Sequence, residues 1–188
     1  MSDAAGHTLR RSVEYLKRVG ADSVDHTEGT YIAHCAAVYR DMKRWGADEE
    51  LALAGFFHSA YGTGLFQRFK LGLERRTEIR ELVGERAERL AYLNCAIVYA
   101  CFDAELERGT PPYRMQNRLE GGELELSTDD FEDLCLMQLC DRLEQIPRSK
   151  AYDFRREAFR RMAERMGGPG LEAYRRVYSA PEAVVTPA

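Results

Sequence analysis

Apolar residues recur every three to four positions along most of the chain, which is the spacing expected of amphipathic helices. The pattern predicts an all-α fold. The predicted helices span residues 6–19, 28–45, 49–60, 74–83, 85–107, 128–146, 151–166 and 170–178.

Capping residues stand at several of the predicted helix starts. Asp25 with Glu28 fits a capping box, in which side chains and backbone amides satisfy one another. Asp48 and Ser127 stand where side-chain oxygens would accept from free backbone amides. Glycine is the commonest residue just beyond a helix end. Such glycines are Gly46, Gly84 and Gly109.

The segment 109–126 interrupts the helical pattern. Thr110-Pro111-Pro112 cannot continue a helix, and polar and apolar residues alternate around Gly121-Gly122. We therefore expect a short hairpin or an extended loop here. A long connection between core helices is often a flap over a pocket, in which case Arg114 and Arg118 would meet an anionic ligand. The alternative is a surface connection whose arginines pair with neighbouring glutamates.

Length and composition favour one folded domain over residues 1–180, followed by a disordered tail over 181–188. A net charge of −4 and a pI near 5.7 disfavour nucleic-acid binding. No apolar run is long enough for a membrane span, and no secretory signal is recognisable. The five cysteines form no C-x-x-C pair, which favours a reduced, cytoplasmic setting.

Three ionisable residues fall inside apolar helical stripes. His34 lies on the stripe of its helix, His58 ends an apolar run, and Asp141 lies within another such run. Buried imidazoles need partners for their nitrogens, and a buried carboxylate is costly unless it is paired or bound to a metal. We expect the three to converge as a divalent-metal site. A purely structural His–Asp hydrogen bond is the alternative.

Three segments in this order resemble those of RelA/SpoT-type HD hydrolases. Tyr31-Ile-Ala-His34-Cys is similar to the family's YIxHP segment. Residues 56–63, which contain His58, are similar to its LLHDVIEDT segment, and residues 139–146, which contain Asp141, to its LADRLHNM segment. The resemblance covers about residues 26–146.

The resemblance implies an HD-domain-like helical bundle that holds one divalent ion, with His34, His58 and Asp141 as ligands. In the family's adjacent His-Asp pair both residues are ligands, and Ser59 stands at the position of the aspartate. A serine hydroxyl is a poorer ligand for a hard cation than a carboxylate is. Tyr61-Gly62-Thr63 replaces the family's acidic pair, and Glu144-Gln145 replaces the HN after its last motif.

These observations lead to one main functional hypothesis, a metal-dependent hydrolase acting on a small phosphorylated or nucleotide-like anion. The ion would be manganese, iron or zinc, and His26 or Glu144 would act as acid/base. The side chains expected to contact substrate are Tyr61, Thr63, Arg114 and Arg118. One alternative is a degenerate HD domain that binds a small molecule or a partner without turnover. Another is a non-haem Fe(II) oxygenase with a two-His-one-carboxylate site. The sequence does not indicate an oligomeric state.

Overall fold

Helices form most of the chain in the computed structural model, which describes residues 3–26, 29–149 and 151–179. The fold is all-α with short hairpins, as the hydrophobic pattern predicts. Within the described ranges the α-helices are α1 (Asp3–Arg18), α2 (Tyr31–Arg44), α3 (Glu49–Phe56), α4 (Arg76–Val83), α5 (Glu85–Ala96), α6 (Tyr99–Arg108), α7 (Thr128–Gln145), α8 (Arg156–Met166) and α9 (Gly168–Ser179).

Two antiparallel strand pairs complete the described structure. β1 (Asp25–His26) pairs with β2 (Gly29–Thr30) just before α2. β3 (Tyr113–Gln116) pairs with β4 (Glu123–Leu126) between α6 and α7. The second pair confirms the hairpin expected within residues 109–126.

Most of the predicted helix caps are present. An Asp48 carboxylate oxygen accepts from the Leu51 amide at 2.8 Å, and the Ser127 hydroxyl accepts from the Asp130 amide at 3.1 Å. Gly84 and Gly109 end α4 and α6 with φ values of 96° and 74°, a region where side chains are strained.

The predicted start of α2 is wrong. The helix begins at Tyr31 rather than residue 28, and Thr30 is its N-cap, with its hydroxyl accepting from the Ala33 amide at 3.2 Å. The preceding backbone is extended because Asp25 and His26 pair with β2, so Asp25 is not available as the cap of a capping box.

Three other helix boundaries also differ from the predicted ones. The helix expected over 49–60 ends at Phe56 and is followed by turns, and the one expected from 151 begins at Arg156. The single helix expected over 85–107 is two helices, α5 and α6. Ile97 between them is extended and bridges to Asn117, which lies beyond β3. The predicted disordered tail, 181–188, lies outside the described residues.

The core is built around α3, whose residues Leu51 to Phe56 are all buried. An apolar helix without a polar face must be covered on several sides, and α3 packs against α2, α5 and α7. Helix α7 in turn packs against α2 and α8. This arrangement places α2, the end of α3 and α7 side by side. No helix in the described ranges has the length and apolar character needed to cross a bilayer.

Candidate metal centre

His34, His58 and Asp141 meet at one point although they lie on α2, directly after α3, and on α7. The Asp141 Oδ1 atom is 3.0 Å from His34 Nε2 and 3.4 Å from His58 Nε2. The two Nε2 atoms are 3.3 Å apart. The convergence predicted from their positions in apolar stripes is therefore present, and together they form a group that could hold a metal ion.

The Nδ1 atom of each imidazole has a hydrogen-bond partner that determines the tautomer of the ring. His58 Nδ1 is 2.8 Å from the Gly55 carbonyl oxygen, which can only accept, so Nδ1 carries the proton. His34 Nδ1 is 2.7 Å from Glu144 Oε2, so it too donates. Metal-ligating histidines usually have such an acceptor at the second nitrogen, because it fixes the tautomer and the ring orientation.

Two carboxylates, Asp141 and Glu144, determine the protonation state of His34. Burial disfavours the imidazolium of His34, but hydrogen bonds and charge from Asp141 and Glu144 prevail and raise its pKa to about 9. Burial raises the pKa of Glu144, yet His34 and Arg148 outweigh it, so the net shift is downward. Burial lowers the pKa of His58. His34 is thus a cation between two carboxylates, and its Nε2 atom donates to Asp141 Oδ1.

Side chains around the three residues hold them in place. Gln145 Nε2 donates to Asp141 Oδ1 at 2.7 Å, and Asn94 Nδ2 donates to the His58 carbonyl oxygen at 2.7 Å. Ser59 is buried, and its hydroxyl donates to the Tyr31 hydroxyl at 3.1 Å. Glu144, expected as an acid/base, supports His34 instead.

A cavity of about 100 Å³ lies against the cluster, lined by His58, Ser59 and Asp141. Part of its wall is apolar or aromatic. That part of the wall comprises Leu65, Phe66, Tyr99, Phe154 and Phe159.

Of the four side chains expected to contact substrate, Thr63 lines this cavity. Its hydroxyl also accepts from the Phe66 amide at 3.0 Å, which shapes the loop after His58. Tyr61 does not line the cavity, because it turns to the buried carboxylate of Glu88 and donates to it at 2.9 Å. For His26, proposed as a second acid/base, the side chain lies outside the described residues.

The two hairpin arginines also have other partners. Arg114 is exposed and lies 3.1 Å from Glu125 across the β3–β4 pair. Arg118 donates to the Gly62 carbonyl oxygen. Neither residue lines the cavity, so the geometry agrees with a surface connection for Arg114 and with a structural tie for Arg118.

Three polar residues of the cavity were missed by the sequence reasoning. Asn94, Gln138 and Arg142 are buried, and each has a polar atom without a hydrogen-bond partner. A signal existed for each of them. Asn94 is a polar residue in the apolar run of α5, and Gln138 and Arg142 are one turn apart on the helix that carries Asp141.

Comparison with known proteins finds similarity to one family over part of the chain. The family described as "Domain of unknown function (DUF6817)" matches residues 15–98, less than half of the chain. The matched part contains His34, His58 and Asn94 but ends before α7. No curated protein and no solved structure matches the chain.

Proposed function

We propose that this chain is a metal-dependent, HD-like hydrolase of a small anionic substrate, with a divalent ion held by His34, His58 and Asp141. One observation carries the proposal. Both imidazoles are engaged through Nδ1, and both Nε2 atoms approach the same oxygen of Asp141. A structural His–Asp pair needs only one imidazole, whereas two that approach one carboxylate oxygen have the arrangement expected of a ligand set, which supports the proposal.

The residues present fit a transition-metal ion. Two imidazole nitrogens and one carboxylate oxygen suit manganese, iron or zinc better than calcium or magnesium, which favour oxygen ligands. The cluster has its own supporting layer, since Glu144 holds His34, and Gln145 holds Asp141. The resemblance to HD hydrolases, which rests on the same three residues, supports the same assignment.

The chemistry of such a site depends on what surrounds the ligands. A divalent ion would supply Lewis acidity and make water a stronger nucleophile at neutral pH. The chain itself supplies a partly apolar wall, because Phe66 and Tyr99 line the cavity together with His58 and Asp141. The loop held by Thr63 keeps Phe66 in place.

Metal analysis of protein purified without chelator tests the proposal. The wild-type chain should retain a single ion, and His34→Ala, His58→Ala and Asp141→Ala should each lose it. The exposed His7 offers a matched control, because His7→Ala removes an imidazole far from the cluster in sequence. The loaded protein should release phosphate or pyrophosphate from small phosphorylated compounds, and the three variants should not. A wild-type chain that binds no added manganese, iron(II) or zinc would overturn the proposal.

A second function is favoured by the direction of the Ser59 hydroxyl. It donates to Tyr31, and the group of possible ligands then contains two histidines and one carboxylate. That is the ligand composition of non-haem Fe(II) oxygenases. Iron as the retained metal, with oxygen consumption and no phosphate release, would identify this activity. Retention of no metal would instead favour a degenerate domain that binds without turnover.

A further inference from the structure

Arg142 is a buried cation on α7 that pairs with no carboxylate of the described residues. Its Nη2 atom donates to the carbonyl oxygens of Ala151 and Tyr152, while its Nε atom is buried without an acceptor. Among the described residues its guanidinium forms no ion pair; it interacts with the Tyr178 side chain and lies over the rings of Phe154 and Phe159. A guanidinium stays charged at any physiological pH, so within the described part of the chain this charge has no anionic partner.

Gln138 also lines the cavity and carries a second donor without a partner. Its Oε1 atom accepts from Arg155 Nη1 at 3.1 Å, and because arginine can only donate, the orientation of the amide is determined. Its Nε2 atom is therefore the donor that has no partner. Arg155 does not need the cavity for its own charge, because it pairs with Asp103.

The residues that carry these two donors lie together beside His34, His58 and Asp141. Gln138 and Arg142 are one turn apart on α7, so they share a helix face, and both line the cavity with Asp141. On another wall of the cavity, Asn94 uses Nδ2 for the His58 carbonyl oxygen and leaves its Oδ1 acceptor buried and unpartnered. The residues that line the cavity thus include two with an unpartnered donor, one of them charged, and one with an unpartnered acceptor, and each of these atoms is itself buried.

We infer that the cavity binds the oxyanion group, a carboxylate or a phosphate, of a short ligand. Arg142 and Gln138 donate to the oxyanion, and Asn94 accepts from a hydroxyl or amine on the ligand. Binding of the oxyanion does not depend on the proposed function; only the identity of the reacting part of the ligand rests on it. A volume of about 100 Å³ is smaller than the roughly 150 Å³ of a cavity that admits benzene. The enclosed part of the ligand is therefore a few atoms long, too small to include a nucleobase.

The test is calorimetric titration of the full chain after metal has been removed with a chelator and the chelator dialysed away. The probes are inorganic phosphate, acetate and glycolate, the last of which adds a hydroxyl to acetate. At least one should bind saturably, and glycolate should bind better than acetate if Asn94 accepts from its hydroxyl. Saturation by phosphate alone would identify a phosphate group, and saturation by acetate or glycolate a carboxylate.

Two variants and one control locate the binding. Arg142→Met should weaken binding about tenfold or more, because it removes the charge that attracts the anion. Gln138→Glu is nearly isosteric and can still accept from Arg155, but it replaces the donor with a negative charge and should weaken binding similarly. Arg44→Met removes an arginine whose side chain is 74% exposed, and it should bind as the wild type does.

Gln138→Glu keeps the inference falsifiable if Arg142→Met fails to fold. Wild-type protein that binds none of the three anions saturably would overturn it, and so would unchanged affinity in Gln138→Glu. Because the titration uses metal-free protein, its outcome is separate from that of the metal analysis. Anion binding in a chain that never retains metal would uphold this inference and contradict the proposed function, and the reverse pattern would do the opposite.

Discussion

Hydrogen bonds at Nδ1 orient both histidines of the cluster so that their Nε2 atoms face Asp141. The Gly55 carbonyl oxygen and the Glu144 carboxylate hold the Nδ1 atoms of His58 and His34, respectively. Of the two acceptors, only Glu144 can be changed by substitution, since the other belongs to the backbone. Its charge should also make His34 a stronger ligand.

Glu144→Gln should lower metal affinity by about 10- to 100-fold without abolishing binding, because the amide still accepts from His34 but carries no charge. Competition with a chromophoric chelator, using zinc and manganese in turn, measures the change. Glu164→Gln on α8 is the control, since that glutamate is exposed and pairs only with Arg160 among the described residues. Wild-type affinity in Glu144→Gln would show that the carboxylate does not support a ligand.

Ser59 is the position at which the resemblance implies a further carboxylate ligand. Ser59→Asp should tighten metal binding, because a second carboxylate would neutralise the remaining charge of a divalent ion. In the absence of metal the same variant should be less stable than the wild type, since it buries an extra charge. Added manganese should then raise its melting temperature more than that of the wild type.

Ser59→Asn is the control for the charge of the introduced side chain, because asparagine has nearly the size of aspartate but is neutral. It should show neither the tighter binding nor the larger thermal shift. Equal or weaker metal affinity in Ser59→Asp would count against the ligand arrangement that the HD resemblance implies.

At the scale of elements, α5 is held to its neighbours by ion pairs that surround the core. Arg89 on α5 makes two hydrogen bonds of 2.6 Å to Asp130 at the start of α7. On the other side, the fully buried Glu88 accepts from Arg76 on α4 at 2.7 Å. The Arg89–Asp130 pair helps to fix the relative position of α5 and α7, which carry Asn94 and Asp141 to the cavity.

Asp130→Asn should cost stability in a pH-dependent way. Burial raises the pKa of Asp130, but the Arg89 hydrogen bonds and charge lower it more, so the net shift is downward. A carboxyl with a lower pKa in the folded state stabilises the fold above its unfolded pKa, and this contribution is lost as the pH falls through its folded pKa. We expect a difference in unfolding free energy of about 1 kcal/mol at pH 7, discounted for the exposure of Arg89.

Urea denaturation of wild-type protein and Asp130→Asn from pH 7 downward measures that difference. It should narrow once the pH falls below about 4, the pKa of an unfolded aspartate, and disappear once the pH has fallen through the lower pKa of the folded state. The exposed Asp153 pairs only with Arg156 among the described residues, and Asp153→Asn should show almost no difference at any pH. A constant difference for Asp130→Asn would mean that the charge of the carboxylate is not what stabilises the pair.

Across the whole molecule, the candidate site joins parts of the chain that are far apart in sequence. His34 and His58 are 24 positions apart, and His34 and Glu144 are 110 positions apart. A ligand that binds between α2, the end of α3 and α7 therefore ties together helices of the central core. Binding at such a place should stabilise the entire fold, because the unfolded chain cannot present these residues together.

Metal should accordingly raise the melting temperature of the wild-type chain. At a free-ion concentration about 100 times the dissociation constant, the stabilisation is roughly 2.7 kcal/mol, which corresponds to about 5 to 10 °C for a chain of this size. Differential scanning calorimetry with and without manganese or zinc measures the shift. His34→Ala should remove it, and His7→Ala should keep it. A shift retained in His34→Ala would place the metal elsewhere.

The sequence by itself determined the helical character of the chain and the three residues that converge. Periodicity and local capping depend on neighbours within one or two turns, so α3, α4 and α7 were predictable to within a few residues at most boundaries. His34, His58 and Asp141 were recognisable because burying a titratable group in an apolar stripe demands a partner.

The tertiary structure alone decided how those residues are used. The break between α5 and α6 depends on Ile97 meeting Asn117, a contact that no local pattern shows. In the same way, Glu144 turns to His34, and Tyr61 turns to Glu88, across distances in sequence that propensities do not span. Which donors remain without a partner is known only when all the others have been paired. The sequence could therefore mark Arg142 as a polar residue on the helix of Asp141, but not as one with an unpartnered donor.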